Sequence, residues 1–236
     1  MKSFLLPEIQ EGALITLSEK ESRHALLSLR LEEKEKVSLL DGKGKTALGE
    51  IVSVAGGLVQ VKILSVQARA RTRAKITLLQ AQLKGPKMDW LVEKITELGI
   101  DTLQVMHTQF TVAQSEKVDR WLRLAEAAMK QSGNPNAPHI PAPQSLASIL
   151  ASLPKENTKK ILLSPKASQS LLQSLKNEPN FSELFLAIGP EGGFSSEEIQ
   201  QLERAGFESA LLSENILRGE TAAISAAAIA IHAIAF

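Results

Sequence analysis

Near residue 76 the spacing of apolar residues changes its period, and that change divides the fold. Before it, apolar residues come in short runs, 37–40, 47–54 and 58–66, broken by Asp41-Gly42-Lys43-Gly44 and by Gly56-Gly57. Runs of this length joined by such turns read as hairpins. One helix-like piece, 20–29, precedes them. Residues 1–75 therefore predict a small, mostly antiparallel β-barrel, a closure that leaves few strand edges open.

From residue 76 to 236 strands and helices alternate. Strands are predicted at 76–82, 102–106, 161–164, 184–188 and 210–212. A helix is predicted over 86–98, with Pro86 at its start, Gly99 at its end, and Met88, Leu91, Val92, Ile95 and Leu98 on one face. A second runs 116–131 between the N-cap Ser115 and the stop Gly133, and a third to Ala205 opens on the capping box Ser195/Glu198. The last runs from Glu220 to the C-terminus. Gly133–Pro143, with four prolines, is the clearest loop. Such alternation predicts a parallel sheet covered on both faces, with ligands in the loops after the strands.

Composition excludes several classes. Hydrophobic residues are 44% and charged residues 22% of 236, an ordinary globular balance. Cysteine is absent, so disulfides, thiolate metal sites and Cys nucleophiles are excluded. The four histidines, 24, 107, 139 and 232, have no metal-ligand spacing, and no metal is expected. Pro7 and Glu8 end the first apolar run too early for an export signal, and the longest apolar stretch, 221–236, is short of a membrane span. The expectation is a cytoplasmic protein with no membrane partner.

Charge is distributed unevenly. Residues 1–75 hold 13 Lys and Arg against 9 Asp and Glu, whereas 76–236 hold 14 against 17. The basic excess ends in Arg69-Ala70-Arg71-Thr72-Arg73-Ala74-Lys75. That run reads either as a solvated linker or as a phosphate-binding stripe.

Three motifs could carry chemistry. Gly44-Lys45-Thr46 imitates the end of a P-loop, but Leu39 stands where its first glycine belongs and a strand pattern follows, so a hairpin turn is the reading. Gly189-Pro190-Glu191-Gly192-Gly193-Phe194 lies between a strand and a capped helix. Its glycines permit either a strained turn or close approach of a ligand to backbone N–H groups. In 212–222, Thr221 or Glu220 could cap the last helix and Arg218 could pair with Glu220. No Ser–His–Asp order or carboxylate pair stands out, which favours a reactive cofactor held by backbone groups.

Gly189–Ser195 followed by Ile216-Leu217-Arg218-x-Glu220-Thr221-Ala222 resembles the cofactor end of the SPOUT RNA methyltransferases, most closely the RsmE family. Lys84-Gly85-x-Lys87-Met88-Asp89-Trp90 through Glu97-Leu98-Gly99 is similar to that family's helix after its first strand. Arg23-His24, Leu29-Arg30 and Asp41-Gly42 resemble its N-terminal RNA-binding domain. The resemblance covers nearly the whole chain. It implies an α/β protein: a PUA-like β-barrel over 1–75, then a SPOUT domain over 76–236 with a deep trefoil knot, pairing as a homodimer through the knot.

The resemblance further implies S-adenosylmethionine as cofactor, held by Leu163, Ser164 and Pro165, by Ile188, Gly189, Pro190, Gly192 and Gly193, and by Leu212, Ser213, Ile216, Leu217, Thr221 and Ala222. It implies methylation of N3 of a uridine in bacterial 16S ribosomal RNA on the small ribosomal subunit. Arg218 would stabilise charge on the uracil, and Glu220 would orient Arg218 or accept the proton. Arg23, His24, Arg30, Lys43, Arg69, Arg71, Arg73, Lys84 and Lys87 are the candidate RNA contacts. The chain departs from the family pattern at 109–112, Lys130, Asn134, Asn215 and Gly219. Another RNA target, a tRNA ribose or guanine, and a non-catalytic assembly module are the competing readings.

Overall fold

The computed structural model describes residues 2–68, 73–111, 117–178 and 180–235. Arg69, Arg71, Val112 and the predicted cap Ser115 lie outside the described residues. Two compact units emerge, Met1–Arg71 with Glu126–Ala137, and Thr72–Ala125 with Pro138–Phe236. The expected single boundary at 75/76 thus misses one segment: the residues from Glu126 to Ala137 cluster with the first unit.

In the first unit, β1 (Lys2–Leu5), β2 (Leu14–Thr16), β3 (Lys36–Leu40), β4 (Lys45–Ala55) and β5 (Leu58–Ala68) form one sheet in the order β1-β3-β4-β5-β2. β1 runs parallel to β3 and the other pairs are antiparallel. Gly56 and Gly57, at φ 58° and 79°, make the tight turn between β4 and β5. Alternate residues of these strands, including Phe4, Val37, Leu39, Val59, Val61 and Ile63, fill the core.

Helix α1 (Glu19–Arg23) opens on Ser18, whose side chain accepts from the Glu21 N–H, and widens into a π-helical turn over His24–Ser28. Ser22 Oγ, buried, donates to the Leu17 carbonyl and accepts from the Val59 N–H, fastening α1 to β5. The 41–44 turn is a hairpin turn: Asp41 Oδ1 accepts from the N–H groups of Lys43 and Lys45, and β4 follows directly. Its other edge bonds to the segment from the prolyl loop, with Gly44 N–H donating to the Pro135 carbonyl and Ala137 N–H to that of Gly42. That pairing explains why Glu126–Ala137 joins this unit.

The second unit holds six parallel strands in the order β11-β9-β10-β6-β7-β8. They are β6 (Lys75–Ala81), β7 (Thr102–His107), β8 (Gln144–Ser145), β9 (Thr158–Leu163), β10 (Glu183–Ile188) and β11 (Glu208–Ala210). The strand period sorts their side chains. Leu184, Leu186 and Ile188 join Ile76 and Leu78 under α2 (Lys87–Leu98), α3 (Val118–Ser132), α5 (Leu171–Asn177) and α7 (Gly219–Ala235). Phe185 and Ala187 join Leu79 and Ala81 under α4 (Leu146–Ser152) and α6 (Ser196–Arg204). Met88, Leu91, Val92 and Ile95 of α2 are buried, each worth about 2 kcal/mol in apolar burial. The Ser195/Glu198 capping box forms as expected. The short β1, β2, β8, α4 and α5 were not foreseen.

Arg73 corrects one expectation. It is not a phosphate contact but a buried brace, with 11% of its side chain exposed. Nη1 donates to Asp101 Oδ2 at 2.7 Å and Nη2 donates to the Gly99 carbonyl at the end of α2, while the same Asp101 oxygen accepts from the Ile76 N–H. Breaking one half of such a pair leaves a buried charge with fewer partners. Arg73→Met should therefore destabilise the protein by about 3 kcal/mol in urea denaturation. A shift below about 1 kcal/mol would show that Asp101 is not dependent on it.

Candidate active site

Three loops leave the sheet on one edge, after β9, β10 and β11, and enclose a cavity of about 520 Å³. Parallel strands place all such loops at the same end, where α/β sheets bind ligands. Leu163, Ser164 and Pro165 supply the first wall, Ile188, Gly189, Pro190, Gly192 and Gly193 the second, and Leu212, Ser213, Ile216, Leu217 and Ala222 the third. The structure thus brings these expected residues together. Thr221 is the exception: it is exposed and does not line the cavity. Leu162, Phe194, Ile199 and Gly219 line it as well, outside the expected cofactor loops.

The second loop shows why glycine is needed. Gly193 N–H donates to the Pro190 carbonyl at 2.9 Å, and Gly193 has φ 74°. A Cβ on Gly189 would stand 3.3 Å from the backbone of Gly193 and from Phe194, and one on Gly192 would stand 3.2 Å from Phe110 Cβ. The chain folds back on itself so closely that neither position has room to spare. In the outer loops, Ser164 N–H donates to the Ala210 carbonyl, tying the β9 loop to β11, and Asn215 N–H donates to Ser213 Oγ.

A charged cluster borders this cradle. Lys87 Nζ donates to Glu191 Oε1 at 2.8 Å and stands 3.6 Å from Glu220 Oε2. Lys87 was expected on the RNA surface; it instead fastens the glycine loop to the first turn of α7. Its ammonium is held above the ordinary lysine value, chiefly by the hydrogen bond to Glu191 and against the penalty of burial, with Glu220 aiding and Arg218 opposing. Burial pushes the Glu191 carboxyl up, but hydrogen bonds from Lys87 and from the backbone of Glu191 and Lys84 outweigh it and hold the group below the usual carboxylate range.

Glu220 is buried, 7% exposed, and its Oε2 accepts no hydrogen bond among the described residues. Arg218 lines the cavity, is exposed, and pairs with no described residue. The sequence-level pairing of Arg218 with Glu220 is thus not made: Lys87 takes Glu220 and leaves the guanidinium free. Gly219 between them is buried, and a Cβ there would stand 2.7 Å from Leu83 Cδ2. Of the remaining candidate RNA contacts, Arg23, His24, Arg30, Lys43 and Lys84 are exposed. Among the described residues no group of three or more His, Asp or Glu could hold a metal ion, and no helix is long and apolar enough to cross a membrane.

Known proteins share this arrangement. Residues 70–231 match the RNA methyltransferase domain family and residues 17–64 the RNA methyltransferase PUA domain. A putative methyltransferase from Legionella pneumophila, solved with its bound cofactor S-adenosylmethionine, is 31% identical with a TM-score of 0.86, covering 98% of this chain and 97% of that one. The ribosomal RNA small subunit methyltransferase E of Neisseria gonorrhoeae, bound to S-adenosylmethionine, is 28% identical with a TM-score of 0.88 over the same shares. The protein of that name from Aquifex aeolicus is 29% identical over 226 residues, 92% of this chain and 94% of its own. With a family match across most of its length, the chain belongs to the RNA methyltransferase domain family, with an N-terminal unit that matches the RNA methyltransferase PUA domain.

Proposed function

We propose that this chain transfers a methyl group from S-adenosylmethionine to N3 of a uridine in the 16S RNA of the small ribosomal subunit, working in the cytoplasm as a homodimer. The observation that carries the reading is the unpaired Arg218 at the mouth of the glycine cradle. The names of the relatives point to small-subunit ribosomal RNA. The segment after the edge strand β11 returns to the middle of the sheet, where α7 packs on β6 and β10, as a knotted chain would require.

The cradle fits the cofactor. Its volume is that of a small-molecule site, its walls are mostly apolar, and the tight fold-back at Gly189 and Gly192, which leaves no room to spare for a Cβ, lets the bare backbone of this loop form part of the wall. When bound, S-adenosylmethionine supplies an activated methyl on a sulfonium. The protein then positions the uracil in line with it, which makes the transfer effectively intramolecular. Loss of the N3 proton leaves negative charge on uracil O2 and O4, and Arg218 faces that charge. The N3 proton passes to solvent at the exposed side of the cavity; Glu220, buried beside Lys87 and outside the cavity lining, holds the first turn of α7 in place.

Nucleoside mass spectrometry of 16S RNA from cells lacking this protein tests the proposal. A uridine-N3 methyl that disappears and returns on complementation supports it; an unchanged RNA overturns it.

The Lys87–Glu191 tether adds a pH dependence. Glu191 has a depressed pKa, so its contribution is complete above 4.5 and is lost as pH falls through its lowered value. Lys87 has a raised one, so its contribution is complete below 10.5 and is lost as pH rises through its raised value. Calorimetric affinity for S-adenosylmethionine should therefore be level between those limits as far as this pair is concerned and weaken below 4.5. In Lys87→Met the acid weakening should vanish and affinity should be lower throughout.

A further inference from the structure

We propose that the cleft beside α1 receives a single unstacked RNA nucleotide and reads its base through an exocyclic amine, cytosine being the base that fits. The inference rests on the reading of the first unit as RNA-binding. The cleft has a volume of about 540 Å³ and is formed entirely by residues of that unit. That space suits one nucleotide rather than a helix, and sequence-specific RNA recognition mostly targets unstacked bases.

Glu21 forms its floor. Oε1 accepts from Lys130 Nζ at 2.7 Å, and the Glu21 side chain is 8% exposed. Oε2 is buried and has no hydrogen-bond partner among the described residues. A buried carboxylate oxygen without a donor is disfavoured, so the cleft asks for one. Lys130 already balances the charge, which leaves a neutral N–H as the matching group. The N4 amine of cytosine carries two N–H groups that can donate to a carboxylate, whereas the single N3–H of uracil is flanked by the acceptors O2 and O4, which a carboxylate repels.

The rim suits the rest of a nucleotide. Arg23 is exposed and pairs with no described residue, so its guanidinium is available to a phosphate. Leu27, 72% exposed, offers an apolar surface to a base, and the His24 ring is steadied edge-on by Phe4 with centroids 6.4 Å apart. The π-helical turn that carries both is a backbone form often found at functional sites.

The test uses the full chain and fluorescence anisotropy with short single-stranded oligo(C) and oligo(U). Oligo(C) should bind about tenfold more tightly. Glu21→Met combined with Lys130→Met removes both halves of the ion pair, so no charge is left stranded, and should erase the preference while leaving oligo(U) affinity within about twofold. Arg23→Ala should weaken both oligomers alike and lower the salt slope by about one. On the unaltered protein, oligo(C) but not oligo(U) should shift the His24 ring resonances. Equal affinity for the two oligomers, or a preference that survives the double substitution, overturns the cleft while leaving RNA binding by the unit intact. Failure of both oligomers to bind overturns the reading of the unit and the cleft with it.

Discussion

Arg218→Ala is expected to lower methyl transfer roughly 100- to 1000-fold while leaving the calorimetric affinity for S-adenosylmethionine within about twofold. The size follows from removing one preorganised charge that acts only where negative charge develops. The selectivity follows from geometry. The walls of the cradle are backbone and apolar side chains, and Arg218 stands at its mouth with no described partner to release. Removing it therefore disturbs no fold contact, and thermal stability should not change. Arg218→Lys should recover only part of the rate, since an ammonium lacks the planar fork that can meet two oxygens. Near wild-type turnover in the alanine variant would remove Arg218 from the chemistry. A matching loss of cofactor affinity would reassign it to binding.

Gly189→Val should do the opposite: Kd for S-adenosylmethionine should rise roughly 100-fold, about 2.7 kcal/mol, and methyl transfer at saturating cofactor should fall far less. The Cβ alone would stand 3.3 Å from the Gly193 backbone and from Phe194, so the loop must open to admit it, and two further methyl groups would force it wider. Gly192→Ala should be milder. Its obstacle is Phe110, a side chain 49% exposed and able to move aside. Unaltered affinity in Gly189→Val would mean that the cofactor does not lie against this loop.

Much of the site was legible because its signals are local. A strand, three glycines around a proline and a capping box follow one another between Glu183 and Glu198, and the fold keeps them adjacent. Pro86 and Gly99 likewise mark α2 by rules that act within one turn. What escaped depends on distant partners. Lys87 and Glu191 are 104 residues apart, and no pattern around Lys87 distinguishes it from a solvent-facing lysine. Arg73 ends a run that reads as solvated, yet Asp101, 28 residues on, draws it inside. Glu21 and Lys130 are 109 apart, and their pairing becomes visible only once the prolyl loop is seen against the 41–44 turn. The short strands β1, β2 and β8 are stabilised by neighbouring strands rather than by their own composition, which is why propensity alone passed over them.

The place of α7 has a consequence for biosynthesis. This helix is made after every other element of the unit, yet its Ala223, Ala226, Ala227 and Ala230 pack into the same core as Ile76 and Leu78 on β6, the first strand of the unit. Until α7 is made, β6 and α2 wait with an uncovered apolar flank. Contacts between such distant parts of a chain form slowly and leave intermediates prone to stick to one another. A nascent polypeptide of this design must be shielded until α7 leaves the exit tunnel, and losing even a few turns of that helix would leave the whole second unit without its keystone.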